Sequence, residues 1–203
     1  ESSSHQVGGM LEEAVELALS GHCIVYPTST LPALGCVPNP IALDGLFAIK
    51  SRPAHMPVSL GVADLDQARE LVEVPEDVPD ILAAFPEGSL TIVLRSHETM
   101  DSRLGGDKVA IRVVSHPTAK SLLRVTGPLT ATSANPSGDI PLYDCDSAAK
   151  LLSTLDMPVG RIAGMCGGGA PSTLIAWHTV CGAPESFNIE VVREGKVSSE
   201  DVL

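Results

Sequence analysis

Basic residues are scarce in this chain: 13 Lys and Arg stand against 25 Asp and Glu, a formal charge of −12 over 203 residues. General nucleic-acid binding depends on Lys and Arg neutralising phosphates, so a surface this acidic excludes it as a global property while leaving room for a local positive pocket. Long apolar runs are missing as well. Runs such as Cys23 to Tyr26 and Leu174 to Trp177 fall far below the roughly 20 residues of a membrane-spanning helix. The opening ESSSHQVGG has no basic stretch followed by an apolar one, so no signal peptide is read there. It is expected to be a disordered leader over 1–9, ahead of one domain over 10–203. A soluble, cytoplasmic globular protein is the expected class. The 5 cysteines are odd in number, widely spaced and free of C-x-x-C. That excludes a disulfide framework and a zinc knuckle and predicts reduced, packed thiols.

The usual catalytic signatures are absent too. There is no G-x-x-x-x-G-K-[ST], no strand-to-helix G-x-G-x-x-G, no H-E-x-x-H and no G-x-S-x-G. Standard nucleotide loops, zinc proteases and nucleophile-elbow hydrolases are therefore excluded, and no metal ligand set is read.

What is present alternates between apolar runs and amphipathic stretches. Helices are predicted over Met10–Ser20, Pro38–Lys50, Leu65–Val74 (capped near Asp64), Asp77–Phe85, His116–Val125 and Ser147–Leu155, with a short capped one in the closing SSEDVL. Strands are predicted at Cys23–Pro27, Val58–Val62, Ser89–Arg95, Val109–Val114, Leu129–Ala134, Ser172–Trp177 and Phe187–Glu194. Nearly all-apolar strands between helices point to a single α/β domain, a twisted mixed β-sheet flanked by helices.

Against that background a few cations are out of place. Lys50 and Arg52 close the second predicted helix, Arg112 sits within the strand VAIRVV, and Arg193 ends another. A cation inside an apolar strand needs an acid or an anion beside it, and in a chain short of positive charge the set points to an anion pocket. Hydroxyl-rich loops stand at strand ends: YPTST, TSANPSG and PST. In open α/β sheets ligands sit beyond strand ends, so these loops are candidates for holding phosphate or the carboxylate and amine of an amino acid. Ser133 and Asn135 in TSANPSG are expected to face phosphate together with loop N–H groups.

In order along the chain, PTSTLPALG, IKSRP with MPVSLGV, VAIRVVSHP, TSANPSG, STLIAW and VVREG resemble the YrdC/YciO-like family of L-threonylcarbamoyladenylate synthases from Leu11 to Gly195. The resemblance implies one α/β domain around a positively charged cavity. It also implies a reaction of L-threonine, bicarbonate and ATP that yields threonylcarbamoyl-AMP and pyrophosphate, feeding threonylcarbamoyl-transfer machinery that modifies tRNA. Carried over by motif, Thr30, Arg112 and Ser172 would hold L-threonine. Lys50, Arg52, Ser133, Asn135 and Arg193 would hold ATP, with Lys50 and Arg52 as the catalytic cations and Mg2+ expected on the triphosphate. Ser29, Pro32, Ala33, Met56 and Gly61 depart from the family pattern; they are expected to line the cavity and to bear on amino-acid choice and rate. A divergent paralogue that binds nucleotide or RNA without synthase activity is the alternative. The carbamoyl-transfer domain of hydrogenase maturation proteins fits less well, since its zinc-finger-like cysteines have no counterpart here.

Overall fold

In the computed structural model, which describes residues 2–181 and 189–203, the chain opens with helix α1 (Ser2–Leu19). The apolar stripe predicted a start at Met10, but the backbone ladder already runs from Ser2, through the segment expected as a leader. After Gly21 the chain turns into β1 (Ile24–Tyr26) and, past the YPTST loop, into β2 (Ala33–Gly35), with every residue of both strands buried. Helix α2 (Pro40–Lys50) starts where the Asn39 side chain accepts from the Ala42 N–H and ends where Ser51 turns left-handed at φ 50°.

Next come β3 (Leu60–Val62) and the short helices α3 (Leu65–Arg69) and α4 (Val78–Ala84). As predicted, Asp64 caps α3, its Oδ1 accepting from Gln67 N–H at 2.8 Å. Strands β4 (Leu90–Arg95) and β5 (Lys108–Val113), helix α5 (Pro117–Thr126), β6 (Leu129–Thr130) and β7 (Thr132–Ser133) follow. The chain then runs through α6 (Cys145–Leu152), β8 (Gly160–Arg161), β9 (Thr173–Ala176), β10 (Glu190–Arg193) and α7 (Ser199–Val202). The predicted strand at Phe187–Glu194 is realised from Glu190; 187 and 188 lie outside the described residues.

The α/β class with mixed sheets and flanking helices stands, but the single sheet is corrected to two. One runs β7-β2-β1-β8, the other β10-β9-β4-β5-β3-β6, and each mixes parallel with antiparallel neighbours. The predicted strand Leu129–Ala134 is where they part. Leu129 and Thr130 pair with β3, while Thr132 and Ser133 pair with β2. Ala131 is the corner, its N–H donating to Ser59 O at 2.9 Å. A two-residue strand cannot hold register alone, so pairing partners divide the run.

The larger apolar cluster lies between α2 and the two sheets, with Leu43, Leu46, Leu60, Ile92 and Ile111 at its centre. A second packs α1 and α5 against Ile24, Tyr26 and Leu129. Gly61 and Gly35 are small because Tyr26 fills the space above them: a Cβ on Gly35 would come within 2.6 Å of the Tyr26 ring. Among the described residues no helix is long and apolar enough to cross a membrane.

The Asp64 cap provides a simple check on this frame. Asp64→Ala leaves an N–H of α3 unpaired and is expected to cost about 1 kcal/mol. The melting temperature should fall by about 2–4 °C; scanning calorimetry showing no shift would mean the cap carries nothing.

Candidate functional site

A cavity of about 340 Å3 opens between the two sheets. The first sheet and its loops contribute Thr30, Pro32, Ala33, Thr132 and Ser133; the second contributes Thr91, Arg112, Leu174 and Arg193, with Ser172 just ahead of β9. Arg52, Ser59, Asn135 and Asp139 complete the polar wall. Of the residues singled out from sequence, Thr30, Arg52, Arg112, Ser133, Asn135, Ser172 and Arg193 meet here.

Arg112 is 6% exposed, in mid-strand on β5 and paired in register with Gly61. Its Nε donates to Gly88 O at 2.9 Å, and its Nη2 donates to Thr30 Oγ1 at 3.0 Å and to Ser29 Oγ at 3.4 Å. Arg193 Nη2 donates to Ser172 O at 2.8 Å. Arg52 is pinned by Met56 O at 2.7 Å and Pro57 O at 2.8 Å. Among the described residues no ion pair includes Arg52, Arg112 or Arg193. Burial holds all three guanidinium groups below their ordinary range, and Arg193 adds repulsion on Arg52 and Arg112. Unpaired, partly desolvated cations facing one cavity are stabilised when an anion enters it. Asp139 is the single carboxylate among the described lining residues.

The hydroxyls are fixed by their neighbours. Ser172 Oγ and Thr91 Oγ1 are 2.6 Å apart. Thr30 is held by its own loop: its N–H donates to Thr28 Oγ1, which in turn donates to Leu31 O at 2.6 Å. Asn135 sends its amide N–H groups to Pro136 O and Asp139 O, and its Oδ1 is buried with no protein partner.

Lys50 departs from the expectation. It is 1% exposed and does not line the cavity; its Nζ donates to Ser133 O and, at 2.8 Å, to Asn135 O. Burial, with Arg52 adding repulsion, pulls its pKa down to about 8. The ammonium therefore straps the TSANPSG loop from beneath. The loop N–H groups expected to face phosphate are also spent inside the protein, with Ala134 bonding to Pro32 O, Asn135 to Ser133 O and Ser137 to Lys50 O. What the loop turns to the cavity is the side chains of Ser133 and Asn135.

The departures from the family pattern sort themselves in the same way. Pro32 and Ala33 line the cavity. Met56 lies on the surface and supplies only its carbonyl, to Arg52. Gly61 is buried under the Tyr26 hydroxyl, which a Cβ there would meet at 3.0 Å. Ser29 is not among the lining residues but touches Arg112, a serine that leaves the guanidinium without an internal carboxylate.

The thiols that the sequence left unconnected fall into two pairs: Cys23 beside Cys36 across β1 and β2, and Cys145 beside Cys166. The Cys145 hydrogen bond, aided by Thr28 N–H and Arg112, brings the Cys166 pKa down to about 7. Sequence reading missed Thr91, Ser59 and Asp139 altogether. Thr91 alone carried a signal, as a hydroxyl inside a buried strand. Among the described residues no three His, Cys, Asp or Glu side chains gather as a metal site.

Residues 16–195 match the Sua5/YciO/YrdC family model, described as telomere recombination. The chain is 29% identical over 198 residues to the threonylcarbamoyl-AMP synthase of Bacillus subtilis, a match covering 95% of this chain and 55% of that protein. It is 39% identical over 136 residues to the threonylcarbamoyl-AMP synthase of Vibrio cholerae, covering 63% of this chain and 72% of the relative. The crystal structure of P. abyssi Sua5 complexed with L-threonine superposes with a TM-score of 0.81 at 26% identity, over 95% of this chain and 56% of that one. The chain thus spans about half the length of the B. subtilis and P. abyssi proteins.

Proposed function

The chain belongs to the Sua5/YciO/YrdC family, and from that premise we propose that it makes threonylcarbamoyl-AMP and pyrophosphate from L-threonine, bicarbonate and ATP. The observation that carries this reading is the meeting of Arg52, Arg112 and Arg193, none paired with an acid among the described residues, around one hydroxyl-lined cavity. A site for two anionic substrates needs that excess of cations.

The amino-acid half is the end walled by Arg112, Thr30 and Ser172. The Arg112 fork takes the α-carboxylate, a planar match lysine cannot reproduce. The Thr91–Ser172 hydroxyl pair and Thr30 offer donors and acceptors to the substrate hydroxyl and amine. Arg52, Arg193, Ser133 and Asn135 take the nucleotide, with Lys50 keeping the Ser133–Asn135 loop in place. The threonine amine condenses with bicarbonate, losing water to give a carbamate. A carbamate oxygen then attacks the α-phosphorus and pyrophosphate leaves. Charge grows on phosphoryl oxygens, so fixed guanidinium groups and hydroxyls supply the stabilisation without a dedicated base. The donor set fits a magnesium ion that arrives on the triphosphate better than one held by the chain, since Asp139 is the single carboxylate among the described lining residues. The product would pass to threonylcarbamoyl-transfer machinery acting on tRNA in the cytoplasm, with little direct nucleic-acid contact from a chain of charge −12.

The test is pyrophosphate release from ATP, with threonine and bicarbonate added singly and together. Release dependent on both supports the reading; nucleotide binding without release overturns it. Ser133→Ala is expected to weaken ATP binding by about 10-fold, the lower end of what losing one hydrogen bond to a charged group costs, and to leave the melting temperature nearly unchanged. A large stability loss at constant affinity would make Ser133 a turn residue only.

A further inference from the structure

Beyond the cavity wall lies a contact that neither the motifs nor the substrate assignment uses. The Tyr143 ring lies directly over Gly168: a Cβ built there would stand 2.8 Å from Cζ and 3.0–3.1 Å from the two Cε atoms. Gly168 is also at φ +75°, a left-handed conformation that favours glycine independently of the ring. Its N–H donates to the carbonyl of Thr30 at 2.8 Å. Thr30 in turn presents Oγ1 to Arg112 Nη2 at 3.0 Å. The order of contact is therefore Tyr143 ring, Gly168 backbone, Thr30 backbone, Thr30 hydroxyl, Arg112 guanidinium.

The Tyr143 end of this stack is itself anchored. Cys166 N–H donates to Tyr143 O at 2.8 Å and Cys145 N–H to Gly164 O at 2.9 Å, a short antiparallel bridge centred on Asp144 and Met165. The bridge fixes the backbone immediately after the ring. Tyr143 is 47% exposed, so core packing does not explain its position. Asp139 and Pro141, a few residues earlier, reach the cavity wall.

We propose that Tyr143 is a positioning residue for the amino-acid half of the cavity, pressing the Gly168 backbone onto Thr30 so that the Thr30 hydroxyl stays in register with Arg112. The proposal rests on the reading of Thr30 and Arg112 as the threonine site. The ring is the active part; its hydroxyl has no role in the clamp. A loose Thr30 loop misplaces the groups that meet the substrate, and a displacement of about 1 Å in such groups is enough for order-of-magnitude losses. The nucleotide half, held by Lys50 beneath Ser133 and Asn135, is outside this chain of contacts.

The experiment has two arms. In the unliganded protein, amide hydrogen exchange is followed over residues 28–31 and 166–169 for wild type, Tyr143→Ala and Tyr143→Phe. Tyr143→Ala should speed exchange in both segments while the other strands keep their protection, and Tyr143→Phe should behave as wild type. In the second arm, threonine is titrated calorimetrically into protein saturated with a non-hydrolysable ATP analogue. Tyr143→Ala should raise the threonine Kd about 10-fold and leave the analogue Kd within about 2-fold, with Tyr143→Phe restoring threonine binding. Unchanged exchange in Tyr143→Ala overturns the clamp, whatever the substrate. Exchange that responds in a wild-type background that takes up no threonine keeps the clamp and overturns the threonine reading. A Tyr143→Ala protein that loses threonine and analogue equally overturns the assignment to the amino-acid half.

Discussion

Arg112→Lys is expected to weaken threonine binding by roughly 100-fold, about 2.7 kcal/mol, and nucleotide-analogue binding by less than about 3-fold. The asymmetry follows from the geometry. Arg112 spends Nε on Gly88 O and shares Nη2 between Thr30 and Ser29, and those bonds aim the guanidinium plane into the cavity. Lysine keeps the charge but loses the fork, and its single ammonium cannot serve Gly88 O, Thr30 and a carboxylate together. The group is 6% exposed, so water cannot replace the missing donors cheaply. Calorimetry with threonine and with the ATP analogue separates the two affinities, and circular dichroism checks that the variant folds. Equal losses for both ligands would place Arg112 on the nucleotide instead; no loss for either would remove it from the site.

Lys50→Met is the second large effect, and it falls on binding far more than on stability. The variant removes the strap under the TSANPSG loop and a cation just behind the cavity wall, so nucleotide affinity should drop by at least about 10-fold. Stability at neutral pH should move little. Taking the ammonium from Asn135 O costs about 1–3 kcal/mol, and Ser133 O keeps the Asn135 N–H, while relieving a buried ammonium of its desolvation returns a comparable amount. The pH dependence is the sharper readout. The folded pKa of Lys50 is about 8 against 10.5 for an ordinary lysine, so between those values the unfolded chain holds the proton more tightly. Stability contributed by this group therefore rises as pH climbs from 8 to 10.5, because the folded state sheds an expensive charge first. Nucleotide affinity goes the other way, weakening above about 8 as the ammonium is lost. Denaturant midpoints at pH 8 and pH 10 should diverge in wild type relative to Lys50→Met; parallel curves would mean that Lys50 does not titrate in this window.

Much of this protein is legible from the order of its residues. The apolar runs of β1, β4, β5 and β9 and the Asp64 cap are local properties, set by side-chain polarity and by one side chain reaching its own backbone. The conspicuous cations are legible for a related reason: Arg112 stands in an apolar strand of an acidic chain, and desolvation makes that costly unless something anionic arrives. Sequence alone therefore determined the α/β class and most of the elements, and of its eight candidate site residues seven line the cavity, Lys50 being the exception. Tertiary structure decided the rest. Whether Leu129–Ala134 is one strand or two depends on β3 and β2 lying on either side of Ala131, information carried by residues far away in the chain. Lys50 looks like any helix-end cation until the fold brings carbonyls from 83 and 85 residues onward within reach of its ammonium, turning an expected phosphate ligand into a buried strap. Tyr143 and Gly168 carry no signal at all when read singly. Their contact exists because a two-sheet fold closes the chain onto itself, and packing is a property of surfaces that meet rather than of the residues that compose them.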